Sequence, residues 1–149
     1  MSSLWLLDTC VLSELTRPES NALVRDWIAQ HAKESAISAA TLGELQFGMQ
    51  RLPAGARKRQ LQNWFENLCT QFADRLLPST VEVWREFGRL KCDLEQMGRP
   101  QDDLDLVIAA TAHCHQLTLV TRNVKDFRDT GLDICNPWLP PSAHPASGA

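Results

Sequence analysis

Five short apolar runs, separated by longer stretches with helical spacing, constrain this chain more than any other feature. Leu4-Trp5-Leu6-Leu7, Ser35-Ala36-Ile37, Arg75-Leu76-Leu77, Leu117-Thr118-Leu119-Val120-Thr121 and Asp133-Ile134-Cys135 each have the length of a strand. The first is apolar without alternation, as a strand buried on both faces must be. Strands that alternate with helices need crossover connections, and crossovers join parallel neighbours. The pattern therefore predicts an α/β fold with a parallel sheet covered on both sides.

The intervening segments carry the matching helix signals. Ser20 or Asn21 can cap a helix whose apolar stripe is Leu23, Val24, Trp27 and Ile28, and Ser38 can cap one that runs to about residue 51 with Glu44 near its middle. Residues 56–74 are the clearest amphipathic helix, with Leu61, Trp64, Phe65, Leu68, Cys69 and Phe72 on one face. Ser79 or Thr80 opens the next, with Val83, Trp84, Phe87, Leu90, Leu94 and Met97 expected inside and Gly98 and Pro100 ending it. Asp102 caps a helix over 103–116, and a short turn or helix spans 124–128. One domain over residues 1–138 is expected. The Pro-, Ser- and Ala-rich segment from Pro137 onward has little to pack, so 139–149 reads as a flexible tail.

Composition excludes several classes. A formal net charge of −3 is incompatible with a uniformly basic surface that coats nucleic acid, though not with a local basic rim. The five cysteines are odd in number, widely spaced and without a CxxC pair, so neither a disulfide framework nor a zinc site is indicated. The start, MSSLWLLDTC, lacks the basic segment of a signal peptide, and no apolar stretch approaches the roughly 20 residues needed to cross a bilayer. A cytoplasmic protein with no membrane association is expected.

In an open parallel sheet, functional groups gather beyond the carboxyl ends of the strands where strand order reverses. Asp8 ends the first strand, and Asn123 and Asp126 follow the strand ending at Thr121. Asp105 lies in the first turn of the helix that feeds that strand, and Glu44 follows the second strand, flanked by Gly43 and Gly48, which would permit close backbone approach. Each acid alone has an ordinary reading as a turn former, a helix cap or a solvated side chain. Their shared edge is what distinguishes them. Converging carboxylates raise one another's pKa unless a cation neutralises them, and an all-oxygen set selects a hard ion such as Mg²⁺ or Mn²⁺. Ions of that kind activate water and orient a phosphodiester. The candidate catalytic residues are thus Asp8, Glu44, Asp105 and Asp126.

The runs DTCVLSEL from Asp8, SAATLGEL from Ser38, DLVIAATA from Asp105 and LVTRNVKDF from Leu119 resemble, in order and spacing, the four motifs of PIN-domain proteins, and most closely the VapC and FitB toxin ribonucleases of type II toxin–antitoxin systems. The resemblance spans about residues 4–138. It implies a three-layer α/β/α fold with a parallel five-stranded sheet, Mg²⁺-dependent endoribonuclease activity, homodimerisation, and a cognate small DNA-binding antitoxin whose C-terminal segment blocks the site. By position Asp8, Glu44 and Asp105 match the family's metal-site acids. The fourth acid of many members falls at Asn123, so Asp126 takes a supporting role and Asn123 a substrate-side one. Cys10 stands where Asn is commoner and is read as packing, since a thiol is a poor hard-metal ligand.

Thr9 and Thr121 are candidates to hydrogen-bond the carboxylates or a metal-bound water, beside a plain role satisfying strand-end backbone groups. Among the cations, Arg17 and Arg122 are placed best to meet RNA phosphates, while Arg57, Lys58 and Arg59 read mostly as a solvated helix face. Two other functions fit less well. A receiver-type phosphoacceptor domain needs adjacent acids after the first strand and a lysine after a late one, where this chain has Asp8 alone and Thr121-Arg122-Asn123. A catalytically silent PIN-fold binding module is favoured by Asn123 and opposed by the intact trio of acids.

Overall fold

A computed structural model describes residues 3–141. The chain runs β1 (Trp5–Leu7), α1 (Thr9–Leu15), α2 (Ala22–His31), β2 (Ser35–Ser38), α3 (Ala39–Gln50), α4 (Ala56–Gln71), β3 (Leu76–Leu77), α5 (Val81–Gln96), α6 (Asp103–His115), β4 (Thr118–Val120), α7 (Val124–Phe127) and β5 (Ile134–Cys135). All strand pairs are parallel, in the order β3-β2-β1-β4-β5. The three-layer fold with a parallel five-stranded sheet is therefore observed.

Successive strand residues point to opposite faces, and both faces are dry. Leu6, Ala36 and Leu119 pack against Val83 and Leu90 of α5 and Val107, Ile108, Ala109 and Ala110 of α6. Leu7, Ile37 and Val120 pack against Val11 and Leu12 of α1, Val24 of α2, Leu45 of α3 and Phe65 and Leu68 of α4. This double burial is why the strands read as unbroken apolar runs. The expected caps are in place: Asn21 Oδ1 accepts from the Leu23 and Val24 N–H groups at 2.9 and 3.3 Å, and Ser38, Thr80 and Asp102 accept from Thr41, Val83 and Leu104. No helix among the described residues is long and apolar enough to cross a membrane.

Three features depart from expectation. Thr9–Leu15 forms α1, for which seven residues following directly on a strand carry too little periodicity to read. Trp84 on α5 and Met97 just past its end are 50% and 56% exposed rather than buried, because the face meeting α6 and the sheet is narrower than the apolar stripe. After β5, Pro137 is buried and Trp138 packs against the second core cluster, so the segment expected to lack packing partners is anchored at its start. The tail expected over 139–149 lies outside the described residues from 142 onward.

Candidate functional site

Chain order climbs outward from β1 to β3 and returns on the other side as β4, so the carboxyl ends of β1 and β4 meet where the order reverses. Asp8 sits there, 3% exposed, its N–H donating to the Val120 carbonyl at 2.9 Å. Both of its carboxylate oxygens are held. The Thr9 N–H donates to Oδ1 at 2.8 Å, and the hydroxyl of fully buried Thr121 donates to Oδ2 at 2.7 Å. Thr121 Oγ1 in turn accepts the Asn123 N–H at 3.0 Å. The Thr9 hydroxyl donates to Glu44 Oε1 at 2.7 Å, so neighbouring residues at the start of α1 bridge the acids of β1 and α3. Thr41 Oγ1 lies 3.2 Å from both Thr9 and Ser38 hydroxyls and ties this bridge to the α3 cap.

Asp105 and Glu44 show the cost of the arrangement. Burial, then the charges of Asp8, Asp102, Glu44 and Asp126, push the Asp105 carboxyl up to about 7. Burial also raises Glu44, with Asp8 and Asp102 adding to the shift and the Thr9 hydrogen bond opposing it. Five acidic side chains therefore share one electrostatic neighbourhood. Among the described residues, however, no three His, Cys, Asp or Glu side chains are gathered tightly enough to cage an ion as they stand. The crowding of acids, not a formed cage, is what points to a hard cation here. The donor set is all oxygen, and a cation would supply the charge that ionises Asp105 at neutral pH.

Cys10 Sγ lies 3.5 Å from Asp8 Oδ2 and 3.6 Å from Thr121 Oγ1. Burial, reinforced by the Asp8 charge, pushes the thiol up to about 11, so it stays protonated and acts as a weak donor. Asp102 is the residue that sequence reasoning saw only as a helix cap. It caps α6 through Leu104 at 3.2 Å, and it also bears on both Glu44 and Asp105. Its spacing of three from Asp105, one helix face, is the signal that marks it. Gly43 and Gly48 prove not to serve close approach, since a Cβ at either would meet nothing within 4 Å.

The cations divide. Arg17, two residues past the end of α1, pairs with buried Glu14 at 3.5 Å. Arg57 and Lys58 donate to backbone carbonyls of Thr16, Gln50 and Leu52 and do not reach the acids. Arg122 is exposed and lies over the Trp138 ring, 5.2 Å from its centroid. A cavity of about 140 Å³ between α1, α3 and α4 opens beside Thr9 and Glu44, walled by Leu45, Met49, Leu61 and Trp64. The larger cavity, about 380 Å³, lies between α5 and α6 at Glu82, Arg85, Glu86, Arg89, His113 and Cys114 and touches none of the acids above.

Comparison with known proteins places this geometry. A sequence model of the PIN domain matches residues 5–132. VapC ribonuclease Y4jK of Sinorhizobium fredii is 38% identical over 137 residues, 91% of this chain and 98% of that protein. Toxin FitB of Neisseria gonorrhoeae is 34% identical over 135 residues, 89% of this chain and 97% of that one. The structure of FitAB bound to an IR36 DNA fragment superimposes with a TM-score of 0.88 at 31% identity, covering 95% of this chain and all of the other.

Proposed function

The chain belongs to the PIN-domain family, and from that premise we propose that residues 1–138 form a Mg²⁺-dependent endoribonuclease, the toxin of a type II toxin–antitoxin module. The observation that carries the proposal is the meeting of Asp8, Glu44 and Asp105 at the reversal point of the sheet, with Asp105 pushed up to about 7 by burial and then by the acids around it. The names of the relatives, a VapC ribonuclease and a FitB toxin, support the activity.

Asp8, Glu44 and Asp105 would hold the ion, with Mn²⁺ as an alternative, and Asp126 would support Asp105 from the start of α7. Such an ion supplies an activated water and neutralises charge on a phosphodiester. The protein's own groups do the positioning. Thr121 and the Thr9 N–H fix the Asp8 carboxylate against rotation, and the Thr9 hydroxyl fixes Glu44. Asn123, whose backbone N–H donates to Thr121, would take the substrate-side role. Arg122 would meet a flanking phosphate, whereas Arg17, the other cation expected there, is paired with Glu14. The small apolar-walled cavity beside Thr9 and Glu44 suits a side chain of the antitoxin's C-terminal segment, and the FitAB complex supports such a partner. The toxin is proposed to be a homodimer acting in the cytoplasm.

Incubation of the purified chain with end-labelled RNA and Mg²⁺ tests the reading. Asp8→Asn is isosteric and removes the central charge, so cleavage should fall by about 10² or more, the usual loss for one electrostatic group at a reacting centre. Equal cleavage by both proteins would overturn the assignment. RNA binding without cleavage by the parent would point instead to the silent binding module that Asn123 favours.

A further inference from the structure

A site lined with carboxylates repels a polyanion unless fixed cations stand beside it. With a net charge of −3, this chain must supply them locally. Several basic side chains are already committed to acids: Arg17 to Glu14, Arg99 to Asp129 at 2.8 Å, and Lys91 to Asp103 at 2.9 Å. Arg122 is different. It directly follows Thr121, whose hydroxyl holds Asp8, and it is exposed and makes no ion pair among the described residues. Its guanidinium lies on the Trp138 indole.

The indole is itself firmly placed. The Thr121 N–H donates to the Cys135 carbonyl at 2.9 Å and ties β5 to the site strand. Asn136 then forms a turn, its side chain accepting the Trp138 N–H at 3.0 Å and its carbonyl accepting the Leu139 N–H at 3.2 Å. Pro137 is buried, and Trp138 packs against the cluster containing Leu7, Val11 and Val120. A rigid aromatic floor lowers the cost of ordering an arginine and leaves its N–H edge open. That edge matches the two-oxygen geometry of a phosphate.

We infer that Trp138 is a substrate-positioning residue, holding the Arg122 guanidinium at the lip of the acidic site to grip an RNA phosphate beside the scissile one. This rests on the nuclease reading above. It also accounts for how acids and arginine coexist without neutralising each other, the acids left to a cation and the arginine to RNA.

The test is binding of fluorescein-labelled single-stranded RNA in the Asp8→Asn background, followed by anisotropy across a salt series, with thermal melts to check folding. Arg122→Ala should weaken binding about tenfold, the scale of one charged hydrogen-bonding contact. It should flatten the log–log salt slope by about 0.7, one single-strand phosphate. Trp138→Ala should weaken binding about threefold, as a lost exposed cation–π contact does, and flatten the slope in the same direction. The double variant should bind no worse than Arg122→Ala, and Trp138→Phe should keep most of the parent's affinity and slope. In the active protein, Trp138→Ala should raise KM and leave kcat nearly unchanged. RNA cleavage by the parent with Trp138→Ala binding unaltered, an unchanged salt slope, or additive losses in the double variant would each overturn the inference alone. Loss of antitoxin binding by Trp138→Ala with RNA binding intact would overturn it in favour of a protein contact. Absence of RNA binding and cleavage in the parent would overturn it together with the nuclease reading.

Discussion

Thr121 shows how much of this site is made by residues that carry no charge. Its buried hydroxyl receives one backbone N–H and gives its proton to Asp8, so one side chain couples the end of β4 to the central acid. Thr121→Val keeps the shape and removes both bonds, leaving Asp8 Oδ2 with only the weak Cys10 donor and the Asn123 N–H without its partner, which costs about 1–3 kcal/mol of stability. Urea unfolding should show that loss, and cleavage should drop more than RNA affinity because Asp8 is freed to rotate. Thr121→Ser should retain most of both; a Val variant as stable and active as the parent would show that the hydroxyl is incidental. At this scale the sequence was legible for the placement of Asp8 and Asp105, at a strand end and in a first helical turn where topology fixes direction, and less so for Glu44, which lies near the middle of α3 and is recognised only by its hydrogen bond from Thr9. It was not legible for Gly43 and Gly48, because a glycine beside open space looks the same in a sequence as one beneath a close contact.

At the scale of elements, the first turn of α6 does two jobs that pull against each other. Asp102 caps the helix, and its charge raises Asp105 one turn along. Asn caps as well as Asp but carries no charge. Asp102→Asn should therefore preserve stability while the Asp105 carboxyl titrates at lower pH, which carbon-detected NMR of the carboxyl resonances would record. Asp102→Ala should give the same titration shift and lose about 1 kcal/mol of stability with the cap. An unmoved Asp105 in both variants would remove Asp102 from the neighbourhood. The strands and long helices were readable because burial on two faces, or on one stripe, leaves a period in the residues. Helix α1 was not, since seven residues following directly on a strand carry too little period, and the exposure of Trp84 on α5 and Met97 just past it reflects how far α6 reaches, which only the packed molecule decides.

For the whole molecule, the crowded carboxylates link stability to pH and, on the proposed reading, to metal. Asp105 binds its proton more tightly when folded, titrating near 7 against 3.8 for its ordinary value, and Glu44 shifts the same way. Their contribution is thus full below the unfolded pKa and is lost as pH rises through the folded one, so in a chelator stability should decline between about pH 4 and about pH 7. Asp105→Asn should flatten that decline, and Mg²⁺ should suppress it in the parent by taking the proton's place. Thermal melts with EDTA and with Mg²⁺ across that range would show it; a parent whose melting temperature responds to pH identically with and without Mg²⁺ would contradict it.

The fold, the reversal point and the three acids all serve one claim, that this chain cuts RNA with a divalent cation held at Asp8, Glu44 and Asp105. The most direct measurement is cleavage of labelled RNA by protein stripped with EDTA and then titrated with Mg²⁺. The account predicts no cleavage in EDTA, recovery with added Mg²⁺, and no recovery in Asp8→Asn at any Mg²⁺ concentration. Cleavage that persists in EDTA, or that Asp8→Asn retains, would contradict it.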